Sequence, residues 1–127
     1  MAAIVIDASA LAALVFDEPD SGDVSARFDD AERVAAPALV WFELANTCWK
    51  KIRRHPEQRD WLLERFARAR DLPVEVVDVE HRDAIVLACD TGLSVYDASY
   101  LLLARHLDVG LLTLDQRLRA VADELRG

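Results

Sequence analysis

Several ingredients of common architectures are scarce in this chain. Four glycines and four prolines among 127 residues leave no Pro/Gly-rich or low-complexity segment, so disorder is expected only at the two ends. The only cysteines, Cys48 and Cys89, both fall inside apolar helical patterns. That is too little for a disulfide-stapled secreted scaffold, and both thiols are expected to be reduced in a cytoplasmic protein. No signal-peptide pattern precedes the first strand-like run at Ala3 to Ile6. No apolar stretch approaches the roughly 20 residues needed to span a bilayer, so a membrane role has no support. The three histidines, His55, His81 and His106, share no ligand spacing with one another or with either cysteine, which argues against a zinc site. Glycines that would let a nucleotide phosphate approach are also missing, because the first strand is followed by Asp7-Ala-Ser-Ala.

What is present is a chain 53% hydrophobic and 30% charged, a balance that belongs to a folded domain. Its length fits one domain, residues 1–127, with one core. The formal charge of -8 is unevenly spread. Residues 50–70 carry Lys50, Lys51, Arg53, Arg54, Arg59, Arg65, Arg68 and Arg70 against only Glu57, Asp60 and Glu64. Such a basic segment on an acidic body can hold a polyanion, since phosphates are met by local Lys and Arg and not by net charge. The plainer reading, a helical hairpin with ordinary solvated charge, stands beside it.

Along the chain, Ala3-Ile-Val-Ile6 is a short apolar run suited to a strand covered on both faces, and Asp7 then opens a helical run to Phe16. Asp20 or Ser21 can cap a short helix reaching about Asp30. Arg33 to Ala36 reads as a second strand. Pro37 suits the first turn of a helix whose apolar face is set by Leu39, Val40, Phe42, Leu44, Trp49 and Ile52. Glu57 to Asp71 is the returning helix of an antiparallel hairpin. Val74 to Asp78 is a third strand, Glu80 to Thr91 a helix closed by Gly92, Tyr96 to Leu107 another helix, and Gly110 to Leu114 a fourth strand. Gln116 to Leu125 closes the chain as an amphipathic helix. Regular alternation predicts an α/β fold, a three-layer α/β/α sandwich around a parallel sheet of four to five strands.

Ligands of such folds bind outside the carboxyl ends of the strands. Asp7 and Asp115 fall there directly, and Asp97 begins a helix facing the same edge. Each aspartate taken singly is explained as a helix N-cap, but Ser, Thr and Asn cap comparably, so three aspartates point to charge as the selected property. Glu43 lies inside a helix among Val40, Trp41, Phe42 and Leu44, where capping cannot account for it. Four like charges gathered at one rim call for a hard cation with oxygen ligands. Ser9 and Thr113 can orient carboxylates or a bound water. Asn46, one turn beyond Glu43, can hold a water or a phosphate oxygen, while Ser99 reads as ordinary first-turn chemistry. Trp41, Trp49 and Trp61 read as core or dimer contacts.

Four segments together carry a family resemblance: Val5-Ile-Asp-Ala-Ser9, Ala36-Pro-Ala-Leu-Val-Trp-Phe-Glu-Leu-Ala-Asn46, Gly92-Leu-Ser-Val-Tyr-Asp-Ala-Ser-Tyr100 and Leu111-Leu-Thr-Leu-Asp115. In this order and spacing the chain resembles a PIN-domain ribonuclease of the VapC toxin type over nearly its whole length. The resemblance implies that Asp7, Glu43, Asp97 and Asp115 surround one or two Mg²⁺ or Mn²⁺ ions. It further implies RNA cleavage, a homodimer, and inhibition by a small VapB-type antitoxin. Lys50, Lys51, Arg53 and Arg54 are the candidates for tracking the RNA backbone. Many relatives add a fifth strand after the last helix, which here ends at Glu124-Leu-Arg-Gly127. A catalytically silent PIN-like module that binds RNA or protein is the alternative. An aspartyl phosphatase is disfavoured because Ser9 stands where its second aspartate belongs, and a phosphoacceptor domain because no lysine follows Lys51.

Overall fold

The structure is a computed structural model describing residues 3–126. Four short strands, β1 (Ala3–Ile6), β2 (Arg33–Ala36), β3 (Val74–Val76) and β4 (Gly110–Leu112), form one sheet in the order β3-β2-β1-β4. All neighbours are parallel, with Val5 opposite Ala35 on one side and Leu111 on the other. Parallel pairing demands crossovers, and six helices supply them, α1 (Ala8–Val15), α2 (Ser21–Asp30), α3 (Leu39–Arg54), α4 (Arg59–Ala69), α5 (His81–Thr91) and α6 (Val95–Leu107), while α7 (Gln116–Arg126) follows the last strand. The chain winds outward from β1 through β2 to β3 and then returns to the far side of β1. Its winding therefore reverses at the β1/β4 boundary, and the crevice beyond the carboxyl ends of these two strands is the natural ligand position.

Two apolar clusters hold the helices to the sheet. The larger gathers Val5 and Ile6 of β1, Leu11 of α1, Leu44 of α3, Leu62 of α4 and Leu103 of α6. The smaller joins Ala84 and Leu87 of α5, Leu101 of α6 and Leu118 and Ala122 of α7. Helix α6 belongs to both, and it also packs on β1 and β4. Burying a leucine as fully as Leu11 or Leu44 contributes about 1.5–3 kcal/mol. Among the described residues no single helix is long and apolar enough to cross a membrane. Cys48 is buried, Cys89 exposed, and both are free thiols.

Local chemistry moves several element ends from where the sequence sets them. Ala38 is already helical and the Pro37 carbonyl accepts from Val40 N–H at 3.0 Å, so the proline precedes the first turn of α3 instead of occupying it. Asp20 holds the N-cap position of α2 without a side-chain hydrogen bond, and Ser21 donates to Asp17 instead. The returning helix is split because Pro56 opens a separate 3-10 turn, Pro56–Gln58, ahead of α4. Gly92 closes α5 at φ 77, as its position requires. Among the described residues the sheet has four strands, with β4 at one edge.

Candidate active site at the carboxyl ends of the strands

Asp7 follows β1 directly and caps α1, its Oδ1 accepting from Ala10 N–H at 3.0 Å and from Ser9 Oγ at 2.7 Å. Its Oδ2 accepts from Thr113 Oγ1 at 2.5 Å. Thr113, which follows β4, is itself buried and accepts from Asp115 N–H at 3.0 Å, while Ser9 Oγ accepts from Leu114 N–H. Arg119 of α7 donates to the Thr113 carbonyl. Ser9 and Thr113 therefore stitch the β4 exit to the β1 exit and orient Asp7, which is only 4% exposed. Burial raises the Asp7 pKa above the ordinary carboxylate value despite these donors, and Asp115 adds to the rise.

Asp97 stands in the first turn of α6 but does not cap it. Ser94 does, accepting from Asp97 N–H at 3.0 Å. Desolvation raises its pKa, and Asp115 and Asp7 raise it further, with Arg117 pulling the other way. Asp115 sits at the start of α7, is exposed, and accepts from Leu118 N–H at 3.0 Å. The N-cap reading thus holds for Asp7 and Asp115 and fails for Asp97.

Glu43, in the second turn of α3, is half-buried and accepts from Tyr100 Oη at 2.5 Å. Desolvation lifts its pKa, and Asp97 and Asp7 contribute. The four acids thus face one another closely enough for electrostatic coupling. No Lys, Arg or His forms an ion pair with any of them among the described residues. As the side chains stand, no three Asp, Glu, His or Cys groups among the described residues converge tightly enough to grip a metal ion. The donor set is nonetheless all oxygen and mutually repulsive, with only Arg117 acting against the repulsion at Asp97. That chemistry fits a hard divalent ion.

A cavity of about 540 Å³, lined by none of the four acids, opens past β2 and β3 against Val95, Tyr96 and Ser99 of α6. Ser99 donates to the Val95 carbonyl within the helix, a purely local role. Asn46 is exposed on α3 with no side-chain hydrogen bond among the described residues. Lys50, Arg53 and Arg54 line a separate shallow concavity near the end of α3. Lys51 turns away from it to pair with Glu18 at 2.6 Å and to lie over the Phe16 ring. The sequence reading missed Tyr100 as a partner of Glu43. Its available signal was a tyrosine three residues after Asp97 in an otherwise apolar helix, since a buried phenol ordinarily needs a hydrogen-bond partner.

A parallel sheet whose winding reverses beside a rim of electrostatically coupled acids narrows the class of protein. The chain belongs to the PIN-domain family: the PIN domain model matches residues 4–124. It is 35% identical over 119 residues to Ribonuclease VapC3 of Pyrobaculum aerophilum, covering 91% of each chain. The crystal structure of PAE2754 from the same organism superposes with a TM-score of 0.78 at 25% identity, over 94% of this chain and 85% of that one. Mycobacterium tuberculosis VapC20, a toxin described as cleaving the Sarcin-Ricin loop, shares the fold with a TM-score of 0.66 at 19% identity, over 93% and 94% of the two chains.

Proposed function

We propose that this chain is a toxin of the VapC type, a cytoplasmic endoribonuclease that depends on Mg²⁺ or Mn²⁺. The observation that carries the reading is the rim of four electrostatically coupled carboxylates, none in an ion pair among the described residues, in a chain 35% identical to Ribonuclease VapC3. Asp7, Asp97 and Asp115 would hold the ion, with Glu43 as a further ligand or as a base acting through a water. A divalent ion in such a site lowers the pKa of a water and offsets the charge that builds on a phosphate under attack. Ser9, Thr113 and Ala10 fix Asp7, and Ser94 caps α6 in place of Asp97. Expected products carry a 5′-phosphate and a 3′-hydroxyl.

Lys50, Arg53 and Arg54 would meet the RNA backbone beyond the cut, with Lys51 contributing less because Glu18 already engages it. On α3, Lys50 and Arg54 lie seven and eleven residues beyond Glu43, which places all three along one helix face. Asn46 falls between them. A cognate VapB-type antitoxin and a second copy of the chain are the proposed protein partners. The exposure of Phe42 (81%) and Tyr96 (64%) beside the acidic rim supports contact with another chain.

The test is incubation of the purified, partner-free protein with a structured RNA pool and Mg²⁺ or Mn²⁺, beside chelator and Asp97→Asn controls. Discrete 5′-phosphate cuts lost in both controls support the reading. Metal binding by calorimetry without any cleavage would instead favour a silent RNA- or protein-binding module.

A further inference from the structure

We infer that Tyr100 is a positioning residue for Glu43, holding that carboxylate at the acidic rim against the repulsion of its neighbours; the inference rests on the nuclease reading above. Tyr100 is 1% exposed and lies one turn beyond Asp97 on α6. Its hydroxyl donates to Glu43 Oε1 at 2.5 Å, and Glu43 Oε2 has no hydrogen-bond partner among the described residues. That bond is the only side-chain hydrogen bond joining α6 to α3 among the described residues. Through that bond one hydroxyl joins the second turn of α3 to the first half of α6, the two helices that carry Glu43 and Asp97.

Glutamate has three rotatable side-chain bonds, and both Asp97 and Asp7 repel its charge. Without a donor, the low-energy course for Glu43 is to swing toward water and away from the other acids. No lysine or arginine is placed to prevent this, and a cation there would cancel the charge the site needs. A neutral phenol solves both requirements: it anchors one oxygen, adds no positive charge, and leaves the other oxygen open. Its ring fills the core beside Leu103, so the anchor is itself rigid. Removing a group that orients a ligand in this indirect way costs about 10–100-fold in metal affinity or activity.

The experiment compares wild type, Tyr100→Phe, Glu43→Asp and the double variant, all as the full chain. Three readouts are needed: the Glu43 carboxyl resonance in ¹³C-labelled protein without metal, Mn²⁺ affinity by calorimetry, and kcat and KM on a cleaved RNA. Loss of the signal in Glu43→Gln assigns the resonance. In Tyr100→Phe we expect the Glu43 signal to move toward that of an exposed glutamate, Mn²⁺ to bind about tenfold more weakly, and kcat to fall about 10–100-fold with KM little changed. Glu43→Asp withdraws the carboxylate from the phenol without touching the tyrosine, so it should lose comparable kcat, and the double variant should be scarcely worse than either single one. An unmoved resonance overturns the contact. A moved resonance with wild-type metal affinity and kcat in Tyr100→Phe overturns the positioning role and leaves only a structural bond. If wild type itself neither binds Mn²⁺ nor cuts RNA, the nuclease reading has failed and the role falls with it, whatever the resonance does. Should Tyr100→Phe fold poorly, Glu43→Asp with unchanged kcat overturns the proposal by itself.

Discussion

The acidic rim and the α3–α4 hairpin carry opposite charges and handle them in opposite ways. On the hairpin five of the eight cations of residues 50–70 have a neighbour: Lys51 pairs with Glu18, Arg68 with Glu64 at 3.1 Å, and Arg65 donates to the Val15 carbonyl at 2.6 Å. Arg53 lies 4.8 Å over Trp49, Arg70 4.8 Å over Trp41, and Arg65 5.5 Å over Trp61. At the rim, Asp7 and Glu43 accept only from hydroxyl and backbone amide donors, and burial and mutual repulsion disfavour the charged forms of Asp7, Glu43 and Asp97, with Arg117 acting against this at Asp97. The hairpin is at rest without a ligand, whereas the rim gains most from an arriving cation. Helix α3 spans both regions, from Glu43 in its second turn to Arg54 at its end.

The strongest way to break this contrast is to remove one rim charge. Asp97→Asn keeps the Ser94 cap, which uses the backbone N–H, and should lower metal-dependent cleavage by about 100-fold or more, since losing a direct ligand ought to cost at least as much as losing an orienting partner. Product mapping against wild type checks it. Next in size is the hairpin itself. Replacing Arg53 and Arg54 together by alanine should reduce the slope of log affinity against log salt for a single-stranded oligonucleotide by about 1.4, on the basis of ~0.7 per phosphate contact. Unchanged slopes from fluorescence titrations would remove these residues from the RNA path.

Stability against pH sharpens the comparison further. Asp7, Glu43 and Asp97 all have folded-state pKa values raised above their ordinary values of 3.8, 4.5 and 3.8. The folded chain therefore keeps protons that the unfolded chain has released. Their contribution is fully present below pH 4 and is lost as pH climbs through the raised values. Metal-free Asp97→Asn should consequently melt at a higher temperature than wild type at pH 7, and the difference should vanish near pH 4. Added Mn²⁺ should raise the wild-type melting temperature more than that of the variant. The smallest effect belongs to Lys51→Ala, whose salt slope should differ from wild type by less than half the change produced by the paired arginine substitution, because Glu18 already occupies the lysine.

Much of the fold was legible in the sequence because its signals are local. Apolar runs at residues 3–6 and 110–112 mark strands that lie side by side at the centre and edge of the sheet, and the acids that follow them needed no tertiary information to be placed at one rim. Asp97 was harder, since Ser94 and Asp97 both suit a helix start and only the backbone shows which of them caps. The Glu43–Tyr100 bond joins residues 57 positions apart on helices that share little packing, and nothing local in either segment announces it. The Arg33–Glu75 bridge between β2 and β3 is hidden for a related reason, as it depends on the register in which Ala35 faces Glu75.

All three tryptophans of the chain, Trp41, Trp49 and Trp61, lie on the α3–α4 hairpin. Intrinsic emission is therefore a built-in label for one half of the molecule. Trp49 and Trp61, about half exposed with a guanidinium over each ring, will respond to whatever displaces that arginine. Both tyrosines, Tyr96 and Tyr100, lie on α6 beside the acids, so tyrosine difference absorbance reports on that side of the molecule. Optical titration of the unmodified protein can thus tell an occupant of the hairpin from an occupant of the acidic site.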